Sequence, residues 1–224
     1  ATNYLSESRN IFKLITRVFM DIKEAILTRR SVKHYDPDHT MTKEEVRTLM
    51  EHAILSPTAF NLQHWRFINV EDKQLREEIR EASYGQAQVT DSSMLLVLCA
   101  DLNAWEKDPQ RYWRHAPKEV QDFMLPAIEG YYTNHHQGQR DECFRSVGIA
   151  ASTIMLMAKG MGYDSCPMDG FDFDKVARII NLPHDHVIVM MITIGKKLQE
   201  ARPRSGQLEL DEVLFTDKFP DETK

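Results

Sequence analysis

From Val147 to Ala158 the segment Arg140–Lys159 is apolar on nearly every side of a helix, with Val147, Ile149, Ala150, Ala151, Ile154, Met155, Leu156, Met157 and Ala158 in sequence. A helix with one apolar stripe can lie on a surface, but one that is apolar all round must be covered, so the segment predicts a central or interface helix. Gly160-Met161-Gly162 ends it, because glycine takes the left-handed conformation that closes a helix. Covering it needs a full core, and a chain of 224 residues with 42% hydrophobic side chains can build one.

The remaining elements follow from periodicity. Residues 21–28 and 43–54 carry apolar side chains at i, i+3, i+4 spacing, with Thr42 placed as a cap before Lys43-Glu44-Glu45. Residues 66–70 and 94–100 read as short buried strands separated by the charged helical run 72–82. Residues 103–139 are polar and aromatic, helical but poorly periodic, as a lid or pocket wall would be. After the long helix come a loop with Pro167-Met168-Asp169-Gly170, a helix over 174–180 and a β-branched strand over 187–194. That strand is the longest apolar run and falls far short of the roughly 20 residues a membrane span needs, so no span is expected. Without repeats or a clear linker, residues 20–224 read as one α+β domain, a three-layer α/β/α sandwich around one sheet.

Residues 1–19 differ, since Ile11, Phe12, Leu14, Ile15, Val18 and Phe19 recur at helical spacing with Lys13 and Arg17 between them. Three readings of this amphipathic extension stay open: docking on its own or a partner subunit, contact with a membrane surface, or leftover targeting sequence.

The net charge of −6 argues against a general nucleic-acid binder, so any basic site must be local. Two basic clusters stand out: Arg29-Arg30-Ser31-Val32-Lys33, just after the first helix, and Arg202-Pro203-Arg204 far downstream. Guanidinium groups, a hydroxyl and a lysine are what a phosphate dianion needs, and together the clusters point to a phosphorylated cofactor. Between Ser56 and Trp65, Thr58, Asn61 and Gln63 crowd a loop where Pro57 forbids continued helix. Their donors and acceptors suit a heteroaromatic ring edge, or simply cap the turn. Cys99, Cys143 and Cys166 form an odd set without CxxC spacing, which predicts neither a disulfide framework nor a thiolate metal site and places the chain in a reducing, cytoplasmic compartment. His184 and His186 share a strand face but lack a third ligand nearby, so no metal is expected. Cys166 has no base beside it and reads as a buried structural thiol. Ser-His-Asp, P-loop and GxGxxG patterns are all missing, so a nicotinamide, if used, visits as a substrate.

In order, these motifs are Arg29 to Lys33, Ser56-Pro57-Thr58 with Asn61 and Trp65, the Gly148–Gly162 helix, Pro167 to Phe171, Ile194-Gly195, and Arg202 to Arg204. The set resembles the FMN-dependent nitroreductase family over roughly residues 20–216. The resemblance implies a mixed, mostly antiparallel sheet and an obligate homodimer with shared active sites. It also implies that Arg29 and Ser31 take the FMN phosphate and ribityl chain with Arg30 beside them. Lys33 would sit near flavin N1 and O2, where a cation stabilises the reduced ring. Pro57, Thr58, Ala59 and Asn61 would come from the opposite subunit, and Gln86 would meet the pyrimidine edge. Pro167, Met168, Asp169 and Gly170 would lie along one ring face, with a backbone N–H aimed at N5, and Arg202 and Arg204 would return to the phosphate.

The iodotyrosine deiodinase subgroup carries a long lid between the first two core strands, and the corresponding segment here, 83–92, is short. Deiodination is disfavoured accordingly. The developed 103–139 connection instead makes Tyr112, Trp113, Phe123 and Tyr131 candidates for a substrate pocket wall. The activity implied is reduction of nitroaromatics, quinones or related small acceptors by NAD(P)H through FMN, in a ping-pong cycle without a protein nucleophile. Alternatives are an FMN-binding sensor or carrier without turnover, or a specialised member such as a reductive dehalogenase or enone reductase.

Overall fold

A computed structural model describes residues 20–220, so the expected amphipathic helix in residues 1–19 lies outside the described residues. The helices α1 (Ile22–Thr28) and α2 (Lys43–Ala53) form where periodicity placed them. The start of α2 is closed by a capping box, in which the Thr42 hydroxyl accepts from Glu45 N and the Glu45 carboxylate accepts from Thr42 N. Strand β1 (Trp65–Val70) is followed by α3 (Lys73–Ala82), α4 (Gln88–Asp91) and β2 (Met94–Asp101). The aromatic connection folds as α5 (Gln110–Trp113) and α6 (Lys118–Tyr132). Then come α7 (His136–Gly160), β3 (Asp164–Met168), α8 (Phe173–Ile179), β4 (His186–Gly195) and α9 (Leu210–Val213).

Two expectations are corrected. The long helix starts about a turn earlier than predicted, at His136. Pro167 and Met168, read as loop, belong to strand β3, which pairs with β4 and is the last strand of the sheet. Proline is tolerated on an edge strand, where its missing N–H breaks no ladder, and Asp-Ser-Cys-Pro-Met has no apolar run to announce it.

The sheet order is β1-β2-β4-β3, and all three pairings are antiparallel. The four described strands are thus purely antiparallel, and the parallel pairing of Ser31 with Ser165 is an isolated bridge outside them. Strand β2 is buried on both faces, which divides the core in two. Met94, Leu96, Leu98 and Ala100 face α2 and α7, while Leu95, Val97 and Cys99 face α3 and α8. A bulge opposite Leu98 and Cys99 puts Val189 and Met190 on the same side of β4.

Helix α7 supplies Val147, Ala150, Ala151, Ile154 and Ala158 to the first core. It ends in a Schellman motif, with Gly162 at φ +80°, Tyr163 N donating to Ala158 O and Gly162 N to Lys159 O. The far side of α7 keeps Ile149 exposed and Leu156 half-buried, one heptad apart. The central-or-interface reading of this helix is therefore answered on its sheet side alone.

Candidate functional site

The two basic clusters, more than 170 residues apart in sequence, meet in space. After α1 the chain runs extended, with Val32 N donating to Ser165 O at the edge of β3 and Tyr35 bridging to Lys197 just past β4. Buried Val32 and Tyr35 anchor it, and Ser31 and Lys33, on either side of Val32, face outward. Gly195 permits the close approach, since a Cβ there would stand 3.0 Å from the Tyr35 ring and 3.1 Å from Ser93 N. Because this run is hydrogen-bonded to the exit of β4, the segment carrying Arg202 and Arg204 emerges beside it. Arg30 Nη2 donates to Arg202 O at 2.5 Å, and Arg204 Nη2 to Arg29 O at 3.4 Å.

Between the two arms lies a cleft of about 520 Å³, whose lining includes Arg29, Arg30, Ser31, Lys33, Arg202 and Arg204. The carboxylate that borders it, Glu200, is engaged by Lys197 at 2.6 Å. Arg29 Nη1 is buried without a hydrogen-bond partner among the described residues, a costly arrangement for a charged donor unless a ligand completes it. Cations, a hydroxyl and an unsatisfied guanidinium N–H fit a phosphorylated ligand.

The cleft adjoins β3. Burial pushes the Cys166 thiol up, and nearby Lys33 and Arg29 offset that only in part. Beyond β3, Gln86 Nε2 donates to Gly170 O at 2.9 Å and Gln88 Nε2 approaches Met168 Sδ at 3.6 Å. The Gln86 side chain and the Pro167–Gly170 stretch thus lie together.

Pro57, Thr58, Ala59 and Asn61 do not line the cleft of their own chain. They sit by α5 to α7, where Ser56 Oγ donates to Thr153 Oγ1 and Asn61 Nδ2 to Tyr112 O. Tyr112 and Trp113 pack with Leu62, Ile128 and Tyr132 in a third apolar cluster, and Tyr131 meets Tyr132 edge-on at 4.8 Å. Phe123 is 72% exposed on α6. None of these four aromatics borders the cleft.

Sequence spacing missed a charged network at the end of the sheet. Buried Asp101 accepts from Arg66 Nη2 at 3.2 Å, Lys107 Nζ at 2.9 Å and Asn103 N at 3.0 Å. Lys107 also donates to Asp185 Oδ2 at 2.5 Å, and His186 Nδ1 lies 2.7 Å from Asp185 Oδ1. The Lys107 and His186 hydrogen bonds hold the Asp185 carboxyl well below the usual carboxylate range. Asp101, Asp185 and His186 have the donor types of a metal site, but the Lys107 ammonium bonds both carboxylates and supplies the positive charge. His184 takes no part in that group.

A family model, that of the nitroreductase family, matches residues 26–196. Protein DrgA of Synechocystis is 54% identical over 204 residues, covering 89% of this chain and 97% of that protein. MhqN of Bacillus subtilis, whose name proposes an NAD(P)H nitroreductase, is 36% identical over 193 residues, with 83% and 94% covered. Among solved structures, ydfN of Bacillus subtilis superposes with a TM-score of 0.82 at 34% identity, covering 87% of this chain and 97% of that one. A protein from Exiguobacterium sibiricum, whose description proposes a nitroreductase and which was solved in complex with FMN, superposes with a TM-score of 0.80 at 29% identity, with 88% and 97% covered. With the matched segment running from α1 to the exit of β4 and the sheet shared with these structures, the chain belongs to the nitroreductase family.

Proposed function

We propose that this protein is an FMN-dependent oxidoreductase that oxidises NAD(P)H and passes the electrons to a small acceptor such as a quinone or nitroaromatic. One observation carries the reading: two basic arms, cross-bonded to each other, converge on a cleft in which Arg29 Nη1 has no partner among the described residues. The FMN-bound relative from Exiguobacterium supports the choice of ligand.

Bound FMN would supply the hydride chemistry, which is why the fold can lack a nucleophile. Arg29, Arg30, Arg202 and Arg204 would hold the phosphate, with Ser31 donating or accepting beside them. Lys33, on the same wall, is the cation available to offset negative charge on the reduced ring. Gln86, held against Gly170 O, would keep the stretch after β3 in place along the ring. A homodimer would account for part of the apolar surface exposed among the described residues, such as Ile22, Ile26 and Leu27 on α1, Leu55, and Ile149 on α7. It would also bring Pro57, Thr58 and Asn61 to the partner's cleft. The three cysteines are free, as in a reducing, cytoplasmic setting.

The visible absorption spectrum of the purified protein, before and after NADH or NADPH is added without oxygen, tests this. Flavin bands that bleach support the reading, and parallel initial-rate lines would add the ping-pong cycle. Flavin that neither nucleotide reduces would favour a carrier or sensor. A colourless protein that takes up no FMN would sink the proposal.

A further inference from the structure

The loop between α2 and β1 is held in a conformation its residues do not favour. Phe60, Asn61 and Gln63 have φ of +52°, +55° and +46°, in the left-handed region. Asparagine tolerates it, whereas phenylalanine and glutamine do so at a cost. Such a stretch persists only where its surroundings over-determine it.

The surroundings here are a second segment of chain. The Trp113 indole N–H donates to Phe60 O at 3.1 Å, and Tyr112 O accepts from Asn61 Nδ2 at 2.9 Å. Within the loop, Thr58 Oγ1 accepts from Gln63 N at 3.0 Å, and Asn61 Oδ1 lies 3.3 Å from Gln63 Nε2. The two cross-bonds involve Phe60 and Asn61, the first two residues of the strained run. They leave from the last two residues of α5, a four-residue helix. The chain leading to α5 is tied in turn to the end of the sheet by Lys107 on Asp101 and Asp185. Arg111 covers the outer side, with its guanidinium 4.7 Å from the Tyr112 ring centre.

We propose that Trp113 is a positioning residue, which through Phe60 O sets the conformation in which the 57–63 loop presents Thr58 and Asn61 to the partner subunit's flavin site. This rests on the reading of the protein as a dimeric FMN enzyme. It gives the Tyr112–Trp113 pair a role other than the pocket wall the sequence pointed to. Asn61 remains usable by a ligand, because an amide has two N–H groups and two acceptor lone pairs and only one of each is spent inside the chain.

The test is Trp113→Phe, which keeps an aromatic ring in the cluster and removes the N–H. Hydrogen exchange in the flavin-free protein reads the brace directly, since Asn61 N and Leu62 N donate to Thr58 O and Ala59 O within the loop. Exchange there should quicken about 3- to 10-fold, the worth of one ordinary hydrogen bond, while exchange in β2 and β4 stays as in the wild type. In the same variant the Kd for FMN should rise by a similar factor. Unaltered exchange at 61–63 would overturn the brace whatever the protein binds. Faster exchange with unaltered FMN affinity would overturn the link between this loop and the flavin site. A wild-type protein that takes up no FMN would defeat the functional reading and the link with it, and the exchange result would still judge the brace.

Discussion

The cleft between the two basic arms and the network around Asp101 are both clusters of charge, and they solve opposite problems. At the end of the sheet, two carboxylates meet two cations, and every charged atom of Asp101 has a donor from the protein. In the cleft, four arginines and a lysine gather, and the carboxylate at its border is engaged by Lys197. Like charges held together cost stability unless something outside the chain offsets them. A balanced cluster therefore speaks of structure, and an unbalanced one of a ligand. The same comparison explains why the Asp101–Asp185–His186 group, despite metal-like donors, belongs to the scaffold, since Lys107 already provides the opposite charge.

The comparison can be broken most easily at its largest effect. Replacing Arg29 and Arg204 together by alanine should weaken FMN binding by two orders of magnitude or more, since hydrogen bonds to charged groups are worth about 1.5–3 kcal/mol each. Tm should stay level or rise slightly as like charges separate. Titration of the flavin-free protein with FMN, alongside a melting curve, checks both, and a large fall in Tm would move the arginines into the structural class.

Asp101→Ala is the converse experiment. It strips Arg66 and Lys107 of their shared partner and should cost about 3 kcal/mol, or roughly 6–12 °C in Tm, with FMN affinity unchanged. Calorimetry of the variant measures it, and a loss of flavin affinity without a loss of stability would reverse the assignment of the two regions.

Beside the balanced network, His64 is fully buried, with Nδ1 3.2 Å from Ser146 Oγ. Burial, with Arg66 adding to it, lowers its pKa from 6.5 to about 4. The unfolded chain then binds a proton below 6.5 that the folded chain refuses, so this contribution is complete above pH 6.5 and drains away as pH falls towards 4. The loss approaches about 3 kcal/mol at its full extent and smaller amounts over the measurable range. Urea midpoints between pH 4.5 and 7 should slope upward with pH in the wild type and less so in His64→Gln.

The smallest expected effect is ionic. A tenfold rise in salt should weaken FMN binding several-fold through screening of the partly exposed arms, while leaving Tm nearly unmoved because the Asp101 network is largely shielded. Affinity that ignores salt would argue that the arms contribute hydrogen bonds alone.

What could be read before the structure was what neighbours along the chain decide. The Thr42 cap, the continuous apolar strands β2 and β4, the all-round apolar face of α7 and its glycine stop are interactions within a turn or two, so residue order reveals them. The order of basic and loop motifs was legible as well, and with it the family. The tertiary structure decided the rest. Strand β3 exists because β4 offers it an edge, and no apolar run of its own would make it one. Arg30 reaches Arg202 across 172 positions, and Lys107 finds Asp185 across 78, at separations no local period encodes. Tyr112 and Trp113 were legible as aromatic side chains of a connecting segment, whereas the direction of the Trp113 N–H, towards Phe60 O, is set by how α5 docks on the loop. Local energetics chose the elements, and their packing chose which charges are balanced and which stand ready for a ligand.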